Sequence, residues 1–126
     1  MATALSSIDD SRSFYEEGRW QGHCAHCAHL GRPQTVRTWE VHHVLAKQHC
    51  RWYGAPRYSP DNALRLCAKA PRACHELHTT HGLLLPLACL RDENIAFVVR
   101  WLGADTAHEY LHRYYAGTDP RVEALI

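Results

Sequence analysis

Residues 35–44 alternate along the chain, with Val36, Thr38, Glu40 and His42 on one side and Arg37, Trp39, Val41 and His43 on the other. A period of two, rich in β-branched and aromatic residues, predicts a strand. It also sends the adjacent His42 and His43 to opposite faces. Residues 63–66 predict a second short strand. Between the two, residues 46–60 are polar and aromatic and are broken by Gly54, Pro56 and Pro60. They read as a surface loop with Trp52, Tyr53 and Tyr58 exposed or half-exposed. Cys74 to Thr80 predict a helix of about two turns, stopped by Gly82. The order is β–loop–β–helix.

Further along, the period changes to that of helices. Asp92 is placed to cap a helix carrying Ile95, Val98, Val99 and Leu102 on one face, ending at Gly103. Asp105 or Thr106, with Glu109 three residues after Thr106, starts another whose apolar side is Ala107, Tyr110, Leu111 and Tyr114; Gly117 ends it. Such stripes usually mean core, so residues 90–117 read as a helical extension packed over the rest. A dimer face or a nucleic-acid clamp is the alternative. Residues 1–12 are small and polar, as in a frayed end, and Phe14 to Trp20 fits a short helix or an edge strand.

Composition narrows the setting. A chain of 126 residues is expected to form one domain, residues 1–126, with a core small enough for a structural metal to matter. The N-terminus lacks the basic start and apolar stretch of a signal peptide, and no run reaches membrane-spanning length. The expectation is a cytoplasmic, reducing setting and no membrane partner. There, six cysteines (24, 27, 50, 67, 74 and 89) read as metal ligands and spare thiols sooner than as disulfides. Net charge is only +1, but it is unevenly spread. Residues 32–72 carry eight Lys or Arg against Glu40 and Asp61, net +6, flanked by segments of −2 and −3. The positive block contains the histidine pair, as a polyanion-binding site requires.

The motifs within that block are Trp39-Glu40-Val41-His42-His43-Val44 and then Asp61-Asn62-Ala63-Leu64-Arg65-Leu66-Cys67, with Cys74-His75-Glu76-Leu77-His78 just after it and Cys24-Ala25-His26-Cys27 upstream. Over residues 20–82 this series resembles the HNH endonuclease family in its His-His form. The resemblance implies a small α+β fold, a ββα-metal or treble-clef-like core with a zinc knuckle. It implies metal-dependent hydrolysis of phosphodiester bonds in DNA, leaving 5′-phosphate ends. It also implies a bacterial or phage setting, such as mobile DNA, restriction or genome packaging.

Residue by residue, the resemblance makes His43 the general base, with an intrinsic pKa near 6.5 suited to neutral pH. It makes Asn62 the side chain that pins the loop and aims that base. One divalent metal would be held by His42 and His75, while His78, a helical turn further on, completes the shell or contacts phosphate. His42 stands where the family usually has Asp. Imidazole ligands suit Ni2+, Co2+, Zn2+ or Mn2+ better than Mg2+. Cys24, Cys27, Cys67 and Cys74 fit a tetrahedral structural zinc site. The family usually has two residues between its last two cysteines, whereas here Ala-Lys-Ala-Pro-Arg-Ala intervenes. Cys50 and Cys89 read as spare thiols. His23, His26, His29, His49 and His81 read as surface histidines, although the 23–29 group offers a substitute zinc ligand. Lys47, Arg51, Arg57, Arg65, Lys69 and Arg72 are the expected phosphate contacts, positional and salt-sensitive.

Two rival readings share these residues. A non-catalytic treble-clef zinc module, binding nucleic acid or a protein partner, would need the cysteines but not His43, Asn62 and His75 together. A metal-dependent RNase would need all of them and differ only in substrate.

Overall fold

The computed structural model describes residues 24–31, 39–67, 74–75 and 84–126, and over these the protein is a small mixed α+β fold. Helix α1 (Ala25–His29) is followed by strand β1 (Trp39–His43), helix α2 (Lys47–Tyr53), a 3-10 turn at Pro60–Asn62 and strand β2 (Ala63–Cys67). After a second 3-10 turn at Leu87–Cys89 come helices α3 (Asp92–Leu102), α4 (Ala104–Tyr114) and α5 (Pro120–Glu123). Cys74 and His75 are helical. The expected strand positions 35–38, the helix beyond His75, and Phe14–Trp20 lie outside the described residues. Among the described residues, no helix is long and apolar enough to cross a membrane.

Strands β1 and β2 pair antiparallel, with Trp39 opposite Cys67 and His43 opposite Ala63. Every residue of β2 is buried. α1 packs on one end of the pair, and the C-terminal helices pack around the rest. Leu64, Leu66, Leu85, Leu87, Val98 and Leu111 share one core with Cys24, Cys27, Cys67 and Cys74.

The segment between the strands departs from expectation, because its first half is helix α2. The reason is local. Gly54 ends the helix in the left-handed region at φ 70°, which a glycine adopts without strain. Cys50 is the only buried residue of α2, so the helix carries no apolar stripe to betray its period. Trp52 and Tyr53 are exposed and Tyr58 is half-buried, as expected.

The start of α3 is also shifted, since Arg91 and not Asp92 holds the cap position. The Arg91 backbone N–H donates to Asn94 Oδ1 at 2.9 Å. Asn94 Nδ2 donates to the carbonyls of Asp61 (2.9 Å) and Ala63 (3.0 Å). The Arg91 guanidinium reaches the Pro60 carbonyl at 2.6 Å and the Ala63 carbonyl at 3.0 Å. A helix start spends its polar groups on the turn leading into β2, and thereby fixes Asn62. Gly103 ends α3 as expected, but α4 begins directly after it and stops at Tyr114, before Gly117.

Candidate metal centre and histidine site

Cys24 precedes α1 and Cys27 lies within it, so one short turn of helix presents both sulfurs on the same side. Cys67 closes β2, and Cys74 lies in the next described helical segment. The four sulfurs all lie within 4.8 Å of one another, and every one of these residues is fully buried. Cys27 and Cys74 are 3.8 Å apart, sulfur to sulfur. That is too long for a disulfide and close to the spacing of about 3.8 Å that Zn–S bonds of about 2.3 Å impose at tetrahedral angles. Backbone amides already point inward: Cys27 N–H donates to Cys24 Sγ at 3.5 Å, and Cys74 N–H to Cys67 Sγ at 3.3 Å.

The ionisation of these thiols fits a cation. A hydrogen bond from Cys74 holds Cys24 down to about 4, whereas burial and the Cys24 charge push Cys27 up to about 12. Cys74 is raised further, chiefly by the hydrogen bond it gives Cys24. Cys24, Cys27 and Cys74 therefore compete for one negative charge, and a dication removes the conflict. These residues can hold a metal such as zinc. Cys50 is elsewhere; its Sγ donates to the Leu45 carbonyl at 3.4 Å, and burial raises it to about 11. His26, expected at the surface, is buried beside the cysteines.

The other end of the hairpin carries the histidines. Asn62 is fully buried there. Its Oδ1 accepts the Leu45 N–H at 2.7 Å, while Nδ2 donates to the carbonyls of Leu45 (3.0 Å) and Arg57 (3.2 Å). This amide ties both ends of the 45–57 segment to the start of β2. His43 lies where that segment leaves β1. Its ring meets Tyr58 edge-on at 5.5 Å, and Lys47 and Arg57 sit over the same tyrosine at 5.6 and 4.9 Å. His43 Nε2 is buried and has no hydrogen-bond partner among the described residues. Burial first, then the charges of Lys47, His75 and Arg57, lower its pKa to about 4. The imidazole is neutral at pH 7 with a lone pair available.

His42 turns the other way. Its Nε2 lies 2.9 Å from the Tyr115 hydroxyl, which donates its single proton to the Val44 carbonyl at 2.7 Å. His42 Nε2 must then be the donor, and the lone pair of the neutral ring falls on Nδ1. Tyr110 grips the same corner, donating to the Val44 carbonyl and accepting the Ala46 N–H. A cleft of about 180 Å3 is lined by His42, His43, Val44, Leu85, Tyr110 and Tyr115, among others. His75 is half-buried; burial lowers its pKa and Glu40 opposes that shift. Among the described residues, His42, His43 and His75 do not form a three-donor cluster of the kind the cysteines form. His78 lies outside the described residues.

Lys47 and Arg51 are exposed and Arg57 is half-buried, on and after α2. Arg65 departs from the expectation of a surface cation: it is 6 % exposed, because β2 is covered on both faces. Lys69 and Arg72 lie outside the described residues. The residues that sequence reasoning missed are Tyr110, which reads only as part of an apolar stripe, and Tyr115, which lies just past that helix and carries no signal. Also missed was a second donor group, His108, His112 and Glu123, for which the His-x-x-x-His spacing is the signal. No family model, curated protein or solved structure matches this chain.

Proposed function

We propose that the protein is a zinc-supported, metal-dependent HNH-type endonuclease with a ββα-metal core, acting on DNA. The observation that carries the reading is the state of His43: a buried, unpartnered ring nitrogen beside Lys47 and Arg57, at the end of a segment held by Asn62. Burying an imidazole without a partner costs stability. Such a cost is typical of a group kept for chemistry.

In this reading His43 Nε2 accepts a proton from the attacking water. Asn62 keeps the ring aimed by holding the 45–57 segment. Lys47 and Arg57 draw the phosphate to the cleft and balance its charge. His42, through Nδ1, and His75, with His78, would hold the divalent ion, which when bound supplies charge neutralisation at the phosphate. Tyr115 fixes the His42 tautomer. The shifted pKa keeps His43 unprotonated throughout the neutral range; it also makes the imidazole a weaker base than one at 6.5, a deficit that an anionic phosphate nearby reduces.

A second reading has its own observation. The cysteine cluster is assembled, whereas His42, His43 and His75 do not converge, which favours a treble-clef module that binds nucleic acid or protein without cutting. Plasmid cleavage across Mg2+, Mn2+, Co2+, Ni2+ and Zn2+, with and without chelator, separates the two. The nuclease reading predicts cutting that the chelator abolishes and that transition ions support better than Mg2+. No cutting with any ion would leave the binding module; cutting with Mg2+ alone would contradict the imidazole-ligand assignment.

A further inference from the structure

We propose that His108, His112 and Glu123 form a separate binding site for one divalent transition ion of the zinc, cobalt or nickel class. The ion would fasten the C-terminal helix α5 to α4. His108 and His112 are four residues apart on α4, so they share a face. Their rings lie 4.5 Å apart. Both Nε2 atoms face the Glu123 carboxylate, at 3.8 Å for His108 and 2.6 Å for His112. The three donor atoms fall within 4.8 Å of one another. Metal–nitrogen and metal–oxygen bonds of about 2.0–2.2 Å need donors roughly 3–3.5 Å apart. Side-chain torsions supply that adjustment without moving a helix.

His108 Nε2 is buried and makes no hydrogen bond, a vacancy in bonding that a cation fills. Two imidazoles and one carboxylate suit borderline ions and disfavour Mg2+ or Ca2+. Glu123 is well placed because α5 is anchored at its start. Asp119 accepts the Arg121 N–H at 2.9 Å, and the Arg121 guanidinium bridges to the Leu90 carbonyl and Asp92, both at 2.8 Å.

The segment His108-Glu109-Tyr110-Leu111-His112 also has the His-Glu-x-x-His form of helical zinc sites in which the Glu serves as general base. That chemistry does not carry over. Glu109 lines a different groove, with His49, Tyr53 and Arg113. The site is therefore one for holding an ion, and it stands whether or not the chain cuts nucleic acid.

The test is calorimetric titration of Co2+ into the full chain with zinc on its cysteines, in a His42→Ala, His75→Ala, His78→Ala background that removes the other proposed histidine ligands. One equivalent should bind there. Adding His112→Ala should abolish it, and Glu123→Gln should weaken it at least tenfold. Co2+ should also slow amide exchange at residues 121–125 in the background protein but not after His112→Ala. If the background protein does not fold, the wild-type chain should bind one equivalent more than His112→Ala does. No difference on removing His112, or no bound Co2+ at all, would overturn the assignment.

Discussion

At one end of the β1–β2 pair, beside Trp39 and Cys67, four sulfurs of one kind lie sealed from water with amides aimed at them. At the other end, beside His43 and Ala63, imidazoles of differing environment border a cleft, and His43 Nε2 has no hydrogen-bond partner. The ends differ in what they ask of the fold. The thiol end is a closed site whose ligands are all the protein's own, so an ion there can only stabilise. The histidine end is held through Asn62, Tyr110, Tyr115 and Arg91, yet leaves the buried His43 Nε2 without a hydrogen bond. On the reading proposed above, the thiol end serves stability and the histidine end serves chemistry.

That contrast is easiest to break at the thiol end. Stripping the cluster with a strong chelator, or substituting Cys67→Ser, should remove on the order of 10 kcal/mol of folding free energy. Circular dichroism would then report an unfolded chain. A metal-stripped protein that melts like the untreated one would show that the cysteines are only packed thiols.

Asn62→Ala comes next, leaving the buried Leu45 amide without its partner and the Leu45 carbonyl with only the weak Cys50 thiol donor. The expected loss is about 2–4 kcal/mol in denaturant melts, since a fully buried polar group is orphaned. Any cleavage activity should fall with it even where the variant remains folded. Tyr115→Phe is milder: it deletes one hydroxyl shared by Val44 and His42, at about 1 kcal/mol. Through the His42 tautomer it should also weaken metal binding at the histidine end by about tenfold, leaving the cysteine site unchanged. Smallest of all, Lys47→Ala should scarcely alter stability but should lower the salt dependence of nucleic-acid binding by about one phosphate contact.

The pH dependence sharpens the same contrast. Native His43 titrates near 4 and the unfolded residue near 6.5. The unfolded chain thus binds more protons across that window, and stability must fall as pH drops from 6.5 towards 4. Replacing His43 by Leu should flatten this slope in melts performed without added divalent ion. An unchanged slope would mean the ring is more hydrated than its surroundings indicate.

The alternation at residues 39–43 made β1 legible from sequence, and the apolar faces of α3 and α4 made those helices legible, because each helix buries one side. α2 was not legible: with Cys50 alone buried, it has no period to read. Arg65 shows the converse, a cation that reads as surface until β2 is seen to be covered on both sides. The cysteine set was readable from spacing despite the long interval before Cys74. Asn62 was readable as a clamp, but its partners Leu45 and Arg57 depend on how the intervening chain folds back. Tyr115 and Arg91 act through a hydroxyl and a guanidinium delivered from distant helices, information that no local pattern contains.

The central claim is that His43 is held for chemistry and not for packing. It is tested most directly by single-turnover plasmid cleavage with wild-type and His43→Ala proteins, both zinc-loaded, at one saturating concentration of Mn2+ or Ni2+. The account predicts a rate loss of roughly 100-fold or more with a melting temperature equal to or above that of the wild type. Equal cleavage by the two proteins, or a loss of activity matched by a loss of fold, would contradict it.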